Sequence, residues 1–301
     1  MINKKVLITG SNGLLGQKLV NLFTKNNFNV IATSKGNDRN VTNNKYEYYN
    51  VNITKFDKVT NLIKKIKPDF IIHTAAMTNV DSCELRQFEC KQINLDAVIN
   101  IATICKELNI HLIHISTDFV FNGETGYYKE TDKTDPVNYY GVTKLKSEQH
   151  LINSTIDYTI LRTIILYGIT ENSSRSNIVL WVKKSLEANK TINVVTDQYR
   201  MPTYVDDLAQ ACLLAVNKKA KGIFHISSNQ LLSIYEIAIE VAKAYHLNVD
   251  LIKPILTEKL NQKAVRPKKT GFIIDKAVKE LGFKSVNFTE RLQIFKQEMK
   301  K

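Results

Sequence analysis

The stretch Lys5-Val6-Leu7-Ile8-Thr9-Gly10-Ser11-Asn12-Gly13-Leu14-Leu15-Gly16 decides how the rest of the chain is read. Its first five residues form an apolar run of the length of a short buried strand. The glycines that follow are spaced GxxGxxG, and an apolar-periodic segment from Leu14 to Phe23 begins inside them. Glycine permits a tight turn and close backbone approach to a pyrophosphate, whose charge then faces the N–H groups and positive end of the following helix. The last glycine lets helix and strand pack closely. Three glycines could equally serve a turn and a helix contact with nothing bound. Their place between the first strand and the first helix of a βαβ unit is the context in which such a turn holds a dinucleotide.

Working outward, the alternation continues. Asn29–Thr33, Tyr46–Tyr49, Asp69–His73, His111–Ser116 and Tyr158–Arg162 read as strands. Between them lie helical patterns through Val59, Leu62, Ile63 and Ile66, then a long one from about Glu84 to Leu108, then one holding Tyr140 and Lys144. Strands alternating with helices predict an α/β fold: a Rossmann-like doubly wound parallel sheet covered on both faces. From Ile169 the rhythm loosens, although Ile178–Leu186, Asp207–Val216 and Ile234–Tyr245 read as helices and Thr191–Val195 and Gly222–Ile226 as strands. Residues 1–168 are expected to form an NAD(P)-binding domain to which later elements return, and 169–301 mainly a smaller substrate-binding region.

Composition narrows the class. A chain of 301 residues with 44% hydrophobic and 24% charged residues can bury a large α/β core. No apolar run is long enough to span a membrane, and the N-terminal apolar run meets glycine too soon for a signal peptide. Cys83, Cys90, Cys105 and Cys212 show no metal or disulfide spacing, so reduced thiols in a cytoplasmic protein are expected, with no metal site. The net charge of +13 comes mostly from lysines scattered along the chain, without a dense basic tract, so nucleic acid is not an expected partner.

The second strand bears on the dinucleotide. A carboxylate near its end would hydrogen-bond the adenosine ribose and favour NAD. Here the strand ends Ala32-Thr33-Ser34-Lys35, with Arg39 shortly beyond and no carboxylate before Asp38. The hydroxyl and cationic groups of Ser34, Lys35 and Arg39 suit a 2′-phosphate, so NADPH is preferred and NADH remains open. A solvated basic loop is the other reading.

In Asn138-Tyr139-Tyr140-Gly141-Val142-Thr143-Lys144, a helix would bring Tyr140 and Lys144 onto one face and pair Tyr139 with Thr143 instead. TGSNGLLG, HTAA, ISTDFVF and YGVTK together resemble the extended short-chain dehydrogenase/reductase family. STDFVFNG, DQYRMPT followed by VDDLA, and the late AVRP narrow the resemblance to dTDP-4-dehydrorhamnose reductases. The resemblance covers nearly the whole chain and implies NAD(P)H-dependent reduction of the 4-keto group of a nucleotide-linked 6-deoxy sugar, in dTDP-rhamnose or related biosynthesis.

It also implies roles. Hydride arriving at a carbonyl generates an alkoxide that needs a proton, and an unperturbed tyrosine titrates near ~10. Tyr140 is the expected general acid. Lys144 is expected to favour its phenolate and to hold the nicotinamide ribose. Thr117, at the carboxyl edge of the fifth strand, would polarise the carbonyl, and Asp118 would contact the sugar. Gly10, Asn12, Gly13, Leu14, Leu15 and Gly16 would hold the pyrophosphate. Ala75, Ala76 and Met77 would pass beneath the cofactor, and Asn52-Ile53 stands where the family has Asp and an apolar residue lining the adenine. Arg200 and Arg266 are candidates for a diphosphate, and Asn177 for a phosphate at a helix start; surface ion pairs or an N-cap are the other readings.

The chain departs from the pattern after the sixth strand. Arg162-Thr163-Ile164-Ile165-Leu166-Tyr167-Gly168 stands where these reductases show Arg-Thr-Ser-Trp-Val-Tyr-Gly, so Ile165 replaces the tryptophan that flanks the sugar. RTIILYG and QYRMPT also resemble the regulatory beta subunit of methionine adenosyltransferase, which binds NADP but acts through a partner protein. A cofactor-binding regulatory subunit is therefore the alternative, with a sugar-nucleotide epimerase or dehydratase as a third reading. The expected partner is a nucleotide-diphosphate sugar, and the sequence leaves a homodimer open.

Overall fold

The computed structural model describes residues 4–40, 45–171 and 176–299. Six strands succeed one another in the first half: β1 (Lys5–Thr9), β2 (Asn29–Ser34), β3 (Glu47–Asn50), β4 (Phe70–His73), β5 (His111–Thr117) and β6 (Tyr158–Thr163). Four short strands follow outside the main sheet: β7 (Leu166–Tyr167), β8 (Ile192–Val195), β9 (Tyr199–Arg200) and β10 (Thr203–Tyr204). Then β11 (Gly222–Ile226) returns, giving a seven-stranded parallel sheet in the order β11-β6-β5-β4-β1-β2-β3. The order reverses between β1 and β4, and ligands of open α/β sheets bind at the carboxyl ends of strands beside such a switch point.

The apolar strand runs are explained by two cores, one on each face. Val6 and Ile8 enter one core with Leu15 and Leu19 of α1 (Leu14–Lys25), while Leu7 enters the other with Leu62 and Ile63 of α2 (Phe56–Ile66). Alternate residues of a strand point to opposite faces, so a strand covered twice must be apolar at every position.

The expected single helix from Glu84 to Leu108 is broken. It consists of α3 (Val80–Leu85), α4 (Gln87–Lys91), a π-helical turn at Gln92–Asp96, and α5 (Ala97–Leu108). The turn brings the buried Asn94 side chain against the Met77 backbone, accepting from its N–H at 2.8 Å and donating to its carbonyl at 3.0 Å. An inserted residue in a helix re-aims a side chain, and here it ties the helix to the loop after β4.

The remaining helices are α6 (Tyr139–Ile152), α7 (Ile178–Glu187), α8 (Val205–Lys218), α9 (Ile234–Tyr245) and α10 (Phe288–Glu298). Helix α8 packs against α1, and α9 opens on a capping box between Ser233 and Glu236. Three further short strands, β12 (Leu232–Ser233), β13 (Ile252–Ile255) and β14 (Lys269–Thr270), pair with β9 and β8 in small sheets. In the β12-β9-β14 sheet, Thr270 lies in register with Arg200. No helix among the described residues is long and apolar enough to cross a membrane.

Candidate active site

A cleft of about 900 Å³ runs from the glycine turn, past the end of β5, to the small sheets of the second half. At one end, Gly10 has φ +69, and a side chain there would put Cβ 2.7 Å from Ala75 N. A methyl on Gly16 would collide with the Gly10 carbonyl oxygen. The N-cap of α1 is Gly13, with no side-chain cap and no acidic residue in the first turn. Its first N–H groups and the helix dipole thus meet no carboxylate from the helix's own first turn, which suits an anion.

Asn12 holds the next loop in place. Its Nδ2 donates to Asn37 O at 2.8 Å and its Oδ1 accepts from Arg39 N at 3.0 Å. Ser34, Lys35, Arg39, Asn52, Ile53, Ala75 and Ala76 all line this end of the cleft. Asp38, the first carboxylate after β2 in sequence, accepts from the Tyr46 hydroxyl and from Asn40 N. Met77 does not line the cleft; it is buried against Cys83 and Cys90, beside Tyr139 and Tyr140.

At the other end, Asn138 caps α6 by accepting from Gly141 N at 2.9 Å. The helix directs Tyr140 and Lys144 into the cleft where Thr117 ends β5, while Tyr139 is turned out of it. Thr117 Oγ1 donates to Asp118 Oδ1 at 3.0 Å. Phe119 meets the Tyr140 ring edge-on at 5.9 Å.

The expected phenol–ammonium interaction is different here. Lys144 Nζ is drawn down to β5, donating to Ile115 O at 2.7 Å and approaching His114 Nε2 at 3.0 Å. Burial of the ammonium lowers its pKa to about 8. The Tyr140 phenol is pushed above its ordinary value by burial, with the Thr117 hydroxyl beside it working the other way. The carbonyl and imidazole, rather than the phenol, satisfy the lysine, and Tyr140 is kept in its proton-bearing form.

The side chains expected at the substrate end are already engaged. Arg200 is buried, donating to Tyr199 O at 2.7 Å and Pro267 O at 2.8 Å, with Nε 3.7 Å from Asp118 Oδ2. Asp118, which also accepts from Thr270, has its pKa raised by burial against the opposing pull of Arg200. Arg266 grips Asp81 through both nitrogens, at 2.6 and 2.7 Å. Asn177 caps α7, accepting from Leu180 N at 3.2 Å, and donates to Gly168 O at 2.8 Å. All four still border the cleft or lie beside a residue that does, but a diphosphate would compete with bonds they already make.

The Asp81 carboxyl is held down to about 2, chiefly by the Arg266 hydrogen bonds. A depressed carboxyl contributes stability above its unfolded value, and that contribution is lost as pH falls through the folded value. Asp81→Asn should therefore flatten the acid limb of a thermal-unfolding profile between about pH 4 and 2. An unchanged limb would show that the clasp adds nothing.

His114, Asp81 and Thr270 were not foreseen as neighbours of the site. The only sequence hint was a histidine two residues before Ser116, flanked by Ile113 and Ile115 in the strand.

A threonine closing the fifth strand of a doubly wound sheet, with a tyrosine and a lysine one helical turn apart laid over it, defines the extended short-chain dehydrogenase/reductase class. Within that class the chain belongs to the family described as RmlD substrate binding domain, whose model matches residues 4–301. The chain is 33% identical to methionine adenosyltransferase 2 subunit beta of Bos taurus, over 84% of this chain and 75% of that protein. It is 31% identical to the spore coat polysaccharide biosynthesis protein SpsK of Bacillus subtilis (strain 168), over 98% and 97%. The solved dTDP-4-dehydrorhamnose reductase of Bacillus anthracis str. Ames, in complex with NADP, is similar with a TM-score of 0.86 and 28% identity, over 99% of this chain and 100% of that one.

Proposed function

We propose that this chain reduces the 4-keto group of a nucleotide-linked 6-deoxy sugar, with NADPH as the preferred hydride donor. The observation that carries the reading is that Thr117, Tyr140 and Lys144 meet in one cleft with the glycine turn. The cradle fits a dinucleotide: only glycine is tolerated at Gly10 and Gly16, and the start of α1 offers uncapped N–H groups. Residues 1–168 then hold the nucleotide, and 169–301 mainly build the sugar end.

When bound, the dihydronicotinamide supplies a hydride to the carbonyl carbon. Tyr140, kept protonated by burial, gives its proton to the oxygen as charge develops there. Thr117 Oγ1 orients that oxygen, and the positive Lys144 stabilises the phenolate left behind. Asp118 is tied to Thr117, Thr270 and Arg200, which suits a fixed contact to the sugar better than the mobile acid a dehydratase would need. The assay is NADPH oxidation with dTDP-4-keto-6-deoxy-L-mannose; no turnover with either dTDP- or UDP-linked 4-keto sugars would sink the reading.

The preference for NADPH rests on Lys35 and Arg39 at the adenine end and on Asp38 being engaged by Tyr46. Lys35→Ala with Arg39→Ala should weaken NADPH by roughly tenfold or more and leave NADH nearly unchanged, since each charge-assisted bond is worth about 1.5–3 kcal/mol. Equal losses for the two cofactors in a fluorescence titration would overturn the preference.

A second reading, a cofactor-binding regulatory subunit, is supported by the 33% identity to methionine adenosyltransferase 2 subunit beta of Bos taurus. It keeps the cofactor pocket but predicts that the chain binds a methionine adenosyltransferase and changes its kinetics, without turning over keto sugars itself.

A further inference from the structure

Lys144 is buried beneath the cleft, yet the phenol is not its partner. The ammonium faces the Ile115 carbonyl and one imidazole nitrogen, His114 Nε2. A lysine ammonium has donors only, so whatever faces it must offer a lone pair. The neighbouring Ser147 hydroxyl, 3.1 Å from the same nitrogen, gives its proton to the Lys144 carbonyl at 2.7 Å. Ser147 thus does not compete for the Nε2 lone pair, and because the ammonium can only donate, we assign Nε2 as its acceptor and the ring proton to Nδ1.

That tautomer has a cost. His114 Nδ1 is buried and has no protein partner among the described residues, and an unpaired buried N–H costs about 1–3 kcal/mol. The ring lies fully buried and stacked on His73, with centroids 5.7 Å apart and planes 13° from parallel. Stacking fixes the ring plane, and His73 is itself anchored by Thr9 Oγ1 at 2.8 Å from its Nδ1. Two strands and two imidazoles thus aim one lone pair at one ammonium.

We infer that His114 is a positioning residue for the reaction: its unprotonated Nε2 holds the Lys144 ammonium in place and keeps it charged in a site whose burial favours the neutral amine. The other groups facing Lys144 are Glu148 on its own helix, Cys90 from α4 and His73 from β4. Glu148 is committed to Arg162, which leaves His114 as the side-chain acceptor in direct contact, beside the Ile115 carbonyl. A protonated His114 would repel the ammonium, and burial together with Lys144 holds the imidazole well below its usual range. What the lysine then does rests on the reductase reading; the hydrogen bond does not.

The test reads Lys144 directly and needs neither cofactor nor substrate. Lysine labelled with ¹³C at Cε is titrated by NMR, and the Lys144 signal is assigned by its loss in Lys144→Arg. The native midpoint is expected near the value of about 8 that burial imposes. His114→Met, which removes the acceptor, should lower that midpoint by at least about one pH unit. His114→Gln, which keeps an acceptor of similar reach, should bring it back. If the methionine variant does not fold, His114→Asn takes its place, because its shorter side chain cannot reach Nζ. An unmoved midpoint in His114→Met or His114→Asn overturns the inference, as does a glutamine variant that falls as far as either.

Discussion

Tyr140→Phe lowers turnover by about 10²–10⁴-fold, the usual contribution of a positioned proton donor, while NADPH still binds. The phenol lines the cleft beside the end of β5, and burial holds it in its protonated form. Removing only its oxygen keeps the ring against Phe119, so packing is conserved and the loss belongs to the chemistry. The signature is a fall in kcat with little change in the KM for cofactor, as expected for an interaction made only in the transition state. An unchanged kcat would transfer the acid role to another group or to water. A parallel fall in NADPH affinity would instead assign the tyrosine to cofactor binding.

Arg162→Met should destabilise the fold by about 3–5 kcal/mol, because it strands a buried carboxylate. Glu148 and Arg162 join α6 to β6 with two parallel bonds, Nε to Oε1 at 3.0 Å and Nη2 to Oε2 at 2.7 Å. Their side chains are 0% and 3% exposed. The guanidinium also sits 5.1 Å from the Phe121 ring centre and 3.3 Å from His225 Nε2. Urea denaturation should show a lowered midpoint at unchanged slope. The double variant Arg162→Met with Glu148→Leu should recover much of the loss, since replacing both leaves neither charge stranded. If the double variant is as unstable as the single one, the damage is to packing and the electrostatic account is wrong. Because Lys144 sits one turn before Glu148, the same experiment reports how firmly the reactive helix is seated.

The first half was readable because its signals are local. A strand, three glycines and an amphipathic helix lie within a short stretch, and β1 falls at the residues its pattern implies, as do α9 and β11 in the second half. Tyr140 and Lys144 were readable for the same reason, since helical spacing alone put them on one face. What escaped depended on contacts between residues far apart in sequence. Nothing near Arg266 announces that Asp81 will meet it, and nothing near Arg200 announces the carbonyl of Pro267. The broken helix after β4 was hidden because Gln92–Asp96 has ordinary helical composition. The bonds of Asn94 to the Met77 backbone, far from it in sequence, accompany the extra residue in the turn. His114 was hidden in another way: alternation placed it in the core, where a histidine reads as filler until its neighbour is known.

The return of β11 to the outer side of β6 matters for how the polypeptide is made. While a nascent chain is still short of residue 222, the backbone of Tyr158–Thr163 presents a bare strand to the crowded space outside the ribosome. Bare strands capture other extended chains. The distal half therefore acts as a late-arriving guard against misassembly, and proteins stopped short of it should collect in inclusion bodies.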